Sequence, residues 1–370
     1  MLHIVATDRL QHTLWNILDP HHEHYRADLA EKYYDKVVSF YRELDKQVGE
    51  IYELYNSSGT VFIISDHGFC TINKTIDLNV WLLKEGYIQL KKDFSTRLKF
   101  FLWKRGLTYE WLFGRLGMGW GKLWSRLLGT LYDKMLVAFM NNKFVKPPAD
   151  LLNNLIINKS TFLLSLKDVD WSQTRAFCKT GLGQIFINLK GRDPEGIVDR
   201  GEEYKSLTEE IGRRFKDFLN QLTGGKSVAE VHTKEEIYSG DYYDQMPDIT
   251  VLSNKDGYQA GSFVDFGSNR VVSDVTLLTG NHDMNGIFIA KGESVKRGDV
   301  TDRATLMDLT PTILHLLGCK VPKDMDGRVL TDIFKEGFVT EHPVEFTEPA
   351  VGQKEERGEM SDEDQQKVLE

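Results

Sequence analysis

The sequence predicts an α/β fold built around a mostly parallel sheet. A long amphipathic stretch at residues 25–55 leads into the continuous apolar run VFII at Val61–Ile64. Helix followed by buried strand is the signature of a sheet covered by helices. Further apolar runs bounded by turn residues recur as DITVL and GIFIAKG, with helix-patterned segments between them. The 370 residues are ample for a large core.

Each element has its own warrant. LHIVAT, residues 2–7, reads as a buried strand ending at Asp8. Leu29, Tyr33, Val37, Phe40, Leu44, Val48, Ile51 and Tyr55 are spaced by threes and fours, which predicts one long helix, stopped at Asn56-Ser57-Ser58-Gly59. Residues 79–90 read as a short helix and a strand. Residues 91–146 are rich in Lys, Arg, Trp, Leu and Phe and nearly free of acids, and predict amphipathic helices joined at glycines. Such a segment reads either as an insertion packed over the main domain or as a face for a membrane surface or anionic ligand. Thr174–Leu189 holds two strand-like runs about a Gly turn, and residues 201–222 read as a helix. EEIYSG, then DITVLS and a polar stretch, suggest further strands and loops. Ala304–Gly318 reads as a helix with Pro311 near its first turn and Gly318 as its stop. The expected layout is residues 1–90 as part of an α/β core, 91–150 as a helical insertion or cap, 151–338 as the rest of the core, and 339–370 as a disordered acidic tail.

Composition narrows the function classes. Hydrophobic residues at 41% and charged residues at 27% suit a globular chain. A net charge of −9 argues against a nucleic-acid polymer as partner. Cys70, Cys178 and Cys319 are scattered without a CxxC spacing, so a disulfide framework is not expected and a reducing, cytoplasmic setting is the natural reading. No apolar run is long enough for a transmembrane helix. MLHIVATD lacks the basic and long apolar regions of a signal peptide.

Chemistry-bearing residues gather near the expected strand ends: Asp8 and His12 in DRLQH, Asp66-His67 after VFIIS, Pro247-Asp248 before ITVL, and His282 in TGNHDMNG. Ligands of open α/β sheets bind beyond the carboxyl ends of strands. Asp8 and His12 are four apart, so one helical turn puts them on one side. Asp66-His67 is either a polar turn or a pair of ligands. Convergent imidazole and carboxylate groups suit zinc or a similar divalent ion. His21, His22 and His24 in HHEH read as a solvated loop, and His315 as a core residue on an apolar helix face.

Taken in order, TDRLQHTLW, VFIISDHGF, WSQTRAFCKTGLGQIFINLKGRDPEGIV, MPDITVL, TGNHDMNGIFIAKG and DLTPTILHLLGCKVPKDMDGRVL resemble the type I phosphodiesterase / nucleotide pyrophosphatase family of the alkaline phosphatase superfamily. The resemblance implies a three-layer sandwich around a mostly parallel sheet with an inserted cap. It implies a two-metal site, usually of zinc, for hydrolysis of phosphoesters, with a small-molecule phosphoester as substrate. Carried over by motif, Asp8, His12 and His282 would bind one metal, and Asp66 and His67 the other. In the family an upstream Asp and a Thr or Ser nucleophile complete the second metal site. The nucleophile forms a covalent intermediate that water then hydrolyses. Neither residue has a match here, since only seven residues precede Asp8 and Thr7 does not fit the nucleophile motif. The resemblance therefore implies an N-terminally truncated copy, a late start or one part of a split enzyme. A companion segment or chain is then expected as a partner, and an inactive remnant acting as a binding chain is the alternative. A sulfatase would need a CxPxR or SxPxR motif, which is absent; a phosphoglycerate mutase fits GIFIAKG and the C-terminal helix less well.

Overall fold

The structure is a computed structural model describing residues 2–55, 59–111, 163–179, 181–225, 227, 229–252, 257–262, 265–275, 278–298 and 304–349. In chain order the first elements are α1 (Ala6–Leu18), α2 (Ala27–Tyr55), β1 (Val61–Ile64), β2 (Gly68–Thr71), β3 (Lys74–Asp77), α3 (Leu78–Lys84) and α4 (Phe94–Lys104). Then come β4 (Ala176–Cys178), β5 (Gln184–Ile187), α5 (Glu202–Leu222), β6 (Glu230–Thr233), α6 (Lys234–Ile237), β7 (Ile249–Leu252), β8 (Tyr258–Gly261), β9 (Val272–Asp274), β10 (Gly280–Asp283) and β11 (Phe288–Lys291). The chain ends with α7 (Leu309–Leu316), β12 (Val321–Pro322), α8 (Glu336–Glu341) and β13 (Phe346–Thr347). Contacts divide it into two compact units, Met1–Tyr34 with Phe69–Asp283, and Asp35–Gly68 with Met284–Glu370.

The fold is mixed α/β, as expected, but its sheets are small and mostly antiparallel. In the first unit a four-stranded sheet runs β4-β5-β7-β6, antiparallel throughout. A three-stranded sheet runs β8-β3-β9, with β3 parallel to β8 and antiparallel to β9. β2 pairs with β10. The core of this unit is built where strand and helix faces meet. Leu207, Ile211, Phe215 and Leu219, every fourth residue of α5, are buried with Ile185 and Ile187 of β5 and Leu78, Trp81 and Leu82 of α3. Trp81 meets Phe215 edge-to-face at 4.9 Å between ring centres. The β4-β5 hairpin turns at Gly183, where φ is +71° and an added Cβ would lie 2.3 Å from the Val251 carbonyl oxygen. Only glycine fits there.

In the second unit β1 pairs antiparallel with β11, and β12 parallel with β13. Phe62, Phe288 and Ala290 pack on a small core of Val295, Leu330, Ile333 and Phe334. Ile63 and Ile289, paired across the ribbon, point outward and are 42% and 51% exposed. The expected buried strands VFII and GIFIA are therefore present as strands but are only half covered. His315 of α7 is buried as expected, against the rings of Phe334 and Phe338, and its Nε2 has no hydrogen-bond partner among the described residues.

Three expectations are corrected. Residues 2–7 are not a strand: the chain enters α1 at Ala6. Ile4 and Val5 are too short a β-branched run to outweigh the amphipathic pattern that follows, and Asp8 in the first turn favours the helix dipole. EEIYSG is not a strand either, because Thr233 and Glu236 form a reciprocal capping box that starts α6. Residue 90 makes only an isolated bridge to Val169, in place of the strand expected near 79–90. Of the expected insertion 91–150, α4 is described and 112–150 lie outside the described residues. The expected tail 339–370 is described as far as 349, a stretch that includes the end of α8 and all of β13.

Candidate metal centre

Asp8 and His12 lie on consecutive turns of α1, and His282 lies on β10. α1 is held against β10 by two hydrogen bonds through Thr279: its N–H donates to the His12 carbonyl at 2.8 Å, and its hydroxyl accepts from the Asn16 N–H at 3.1 Å. Gly280 permits this approach, since a Cβ there would sit 2.7 Å from the Gln11 carbonyl oxygen and 2.9 Å from the Trp15 Cβ. Trp15 stacks on Phe69 at 5.8 Å and donates from Nε1 to the Thr71 hydroxyl at 2.8 Å.

Three donor atoms converge as a result. His12 Nε2 lies 3.0 Å from His282 Nε2 and 3.4 Å from Asp8 Oδ1, and His282 Nε2 lies 3.2 Å from Asp8 Oδ1. His12 Nδ1 is 2.8 Å from the Gly280 carbonyl oxygen. A carbonyl only accepts, so Nδ1 carries the proton and Nε2 presents its lone pair to the cluster. Phe69 walls the site with its ring steeply inclined to both imidazoles, its centre 4.9 Å from that of His12 and 5.5 Å from that of His282. The His282 side chain is 44% exposed, so the cluster opens to solvent on one side. Cys70 beside it hydrogen-bonds the His282 carbonyl at 3.6 Å; burial, with help from Asp283, pushes its thiol up to about 11.

The donor set fits a divalent ion. A tetrahedral zinc with bonds of about 2.0 Å places its ligand atoms about 3.3 Å apart. The three observed edges bracket that value. A hydrogen bond from the far nitrogen of a ligating histidine to a carbonyl is the usual second support of such a site, and His12 has one.

Asp66 and His67 belong to the other unit. They follow β1 directly, with Asp66 Oδ1 3.5 Å from His67 Nε2. His67 Nδ1 faces the Gly68 carbonyl at 3.0 Å, the same orienting device as at His12. Ser65 accepts from the Ile287 N–H at 2.7 Å, which pins this turn to the start of β11.

The other sequence candidates resolve differently. Asp248 is fully buried within a structural ion network. It accepts from Arg192 at 2.9 and 2.7 Å, from the Tyr204 hydroxyl at 2.9 Å and from the Ile187 N–H at 2.6 Å, and Lys234 lies 3.3 Å away. Burial alone would raise its pKa, but Arg192 and the other donors hold the carboxyl below the ordinary carboxylate range. HHEH is not a solvated loop throughout. His22 is 3% exposed, and its Nε2 lies 3.0 and 3.1 Å from the carbonyls of Ile72 and Thr279, while its Nδ1 accepts from the His24 N–H. Phe69 carried no signal read as functional, whereas Gly280 stands two before His282 in TGNH, a spacing that belongs to the motif order though it does not say what packs against the glycine.

A histidine–carboxylate cluster joining a helix to a strand in a mixed α/β chain defines a candidate metallohydrolase centre. Residues 1–106 match the model of the type I phosphodiesterase / nucleotide pyrophosphatase family, in agreement with the resemblance carried by the motifs. That family is one of phosphoester hydrolases and is generally metal-dependent. No curated protein and no solved structure matches the chain.

Proposed function

We propose that the chain carries the first metal site of a phosphoester hydrolase of the phosphodiesterase / nucleotide pyrophosphatase type. The observation that carries this is the triangle of His12 Nε2, His282 Nε2 and Asp8 Oδ1, with edges of 3.0 to 3.4 Å. Three protein donors with an open side are the pattern of catalytic zinc sites, whereas structural sites are closed by four. A divalent ion there supplies Lewis acidity toward a phosphoryl oxygen. His12 holds its tautomer through Gly280, Asp8 offsets the positive charge, and Phe69 shields one flank. Asp66 and His67 are proposed as ligands of a second ion. The large parallel-sheet sandwich of the superfamily is part of the same proposal.

A second reading keeps the same cluster but makes the chain a binding one: Asp8, His12 and His282 hold the ion and its phosphoester ligand without turnover.

One experiment separates the readings. Zinc content after dialysis and hydrolysis of bis(p-nitrophenyl) phosphate are measured for the wild type, His12→Ala and His282→Ala. One zinc per chain is expected in the wild type, with affinity falling more than about 100-fold in either variant, since even supporting groups are worth 10- to 100-fold. Zinc retention unchanged by both substitutions would remove the site. Zinc held with little hydrolysis supports the second reading, and two tight zincs with vigorous turnover would sink it.

A further inference from the structure

The helix α4 carries a face that the proposed metal chemistry does not use. Its inner side is firmly held. Thr96 and Trp103 are buried, Trp103 donates from Nε1 to the Phe266 carbonyl at 2.9 Å, and Lys99 pairs with the buried Asp168 at 2.8 Å. Asp93 caps the start by accepting from the Thr96 N–H at 3.0 Å and its hydroxyl at 2.8 Å. Phe266, which receives the Trp103 bond, sits at φ +45°, an unusual backbone for a bulky residue. The helix is therefore fixed in one rotation about its axis.

That rotation turns apolar residues outward. Phe94 is 82% exposed, and Leu98 and Phe101 are each 46% exposed. They fall at i, i+4 and i+7, one stripe on the helix. Arg97 and Arg105 are exposed within the same stripe, the Arg105 guanidinium lying 3.9 Å from the centre of the Phe101 ring. Lys91, Lys92 and Lys104 flank it and are also exposed. Beside the helix lies a shallow cavity of about 320 Å³ lined by Leu83, Lys84, Phe100, Trp103, Lys104 and Asn269. Its floor is apolar and aromatic and its charged groups are both lysines.

An apolar stripe interleaved with Arg and Lys suits one environment above others. Aromatic and leucine side chains enter the boundary between headgroups and acyl chains, while the basic groups meet phosphate. Lys and Arg stems can reach upward from such a face. Charge decides the occupant. The chain as a whole is at −9, so this basic face is a local inversion of sign. The sequence that follows, 112–146, is itself basic and holds Trp120 and Trp124, with Arg115, Lys122, Arg126, Lys134, Lys143 and Lys146 against Asp133. Complementarity thus favours an external anionic surface over that segment. With 11 residues α4 is too short to span a bilayer, so its own contact is a surface one.

We propose that α4 docks this chain onto anionic lipid bilayers, with Phe94, Leu98 and Phe101 entering the interface and Arg97, Lys104 and Arg105 contacting headgroup phosphates. The docking is independent of the metal centre.

Co-sedimentation of the full-length chain with vesicles of phosphatidylcholine alone, or with added phosphatidylserine, tests it. The wild type is expected to pellet with the anionic vesicles and not with the neutral ones, and to be released by high salt. Each basic residue near such a surface is worth roughly fivefold in partition. Arg97→Glu with Arg105→Glu, and separately Phe94→Ser with Phe101→Ser, are each expected to lower partition by more than about tenfold. These positions are exposed, and circular dichroism verifies that the variants fold. Absence of wild-type binding, equal binding to neutral vesicles, or full binding by folded variants would each overturn the proposal. So would a dimer, seen by light scattering, that the phenylalanine substitutions dissolve, because it would assign the stripe to a second copy.

Discussion

Asp248 shows how far a local environment can decide a residue's role. By composition it resembled the other carboxylates placed beside strands, yet it is enclosed by Arg192, Tyr204, Lys234 and the Ile187 N–H. Removing one partner of a buried charged network leaves the rest uncompensated, at a cost of about 3–5 kcal/mol. Asp248→Ala is expected to lose that much in urea unfolding followed by tryptophan fluorescence; a loss below about 1 kcal/mol would show the network to be dispensable. Because the carboxyl sits below its ordinary range in the fold, its contribution is present above about pH 4 and disappears as acid titrates it. Asp77 is the opposite case. It accepts from the Val80 N–H at 3.1 Å as the cap of α3, and burial pushes it up to about 7. The unfolded chain ionises this group near pH 4, so its contribution to stability falls as pH rises from about 4 to about 7. Asp77→Asn can keep the cap. It is expected to be more stable relative to wild type at pH 8 than at pH 5, and an equal difference at both values would contradict the buried-acid account.

At the level of elements, periodicity was readable wherever a segment was long or clearly bounded. The helices α2 and α5 follow from threes and fours, and the β4-β5 hairpin from two apolar runs about Gly183. RLQHTLW is open between a helix and a loop, and residues 2–7 read as a strand, because so short an apolar stretch does not separate strand from helix; the packing of Trp15 and Ile17 decides the matter. The meeting of Asp8 and His12 was legible all the same: their spacing implied one helical turn, and α1 supplies it. His282 was legible as a histidine before a strand, but it lies within β10, and its approach to α1 depends on Gly280, which the sequence marks by its spacing from His282 without saying what packs against it. His22 was misread because a run of polar residues suggests solvent, whereas its two carbonyl partners lie at Ile72 and Thr279, far away in sequence.

For the molecule as a whole, the cluster ties the first helix of the chain to a strand almost at the end of the same unit. On the proposed metal reading, such a long-range closure would couple ion binding to stability, because the unfolded chain does not hold the three donors together. At an ion concentration 100 times the dissociation constant, the gain is about 2.7 kcal/mol. For a unit of this size that corresponds to roughly 5–10 °C in Tm. Calorimetry with zinc or with EDTA is expected to show the shift in the wild type and to lose it in His282→Ala. A shift that persists in the variant would place the stabilising ion elsewhere.

The β1–β11 ribbon has a dynamic consequence. It is two-stranded, outward-facing at Ile63 and Ile289, and it ends where Asp66 and His67 begin. Isolated pairs of strands are only marginally stable, and elements with few buried contacts open locally long before a domain unfolds. Amides of residues 61–64 should therefore exchange with solvent ahead of those in β5 or β7, which are buried within a four-stranded sheet. Any ion held by Asp66 and His67 must first quiet that breathing, whereas Asp8, His12 and His282 are already in place. The two proposed ligand groups would thus fill in sequence, the rigid one first.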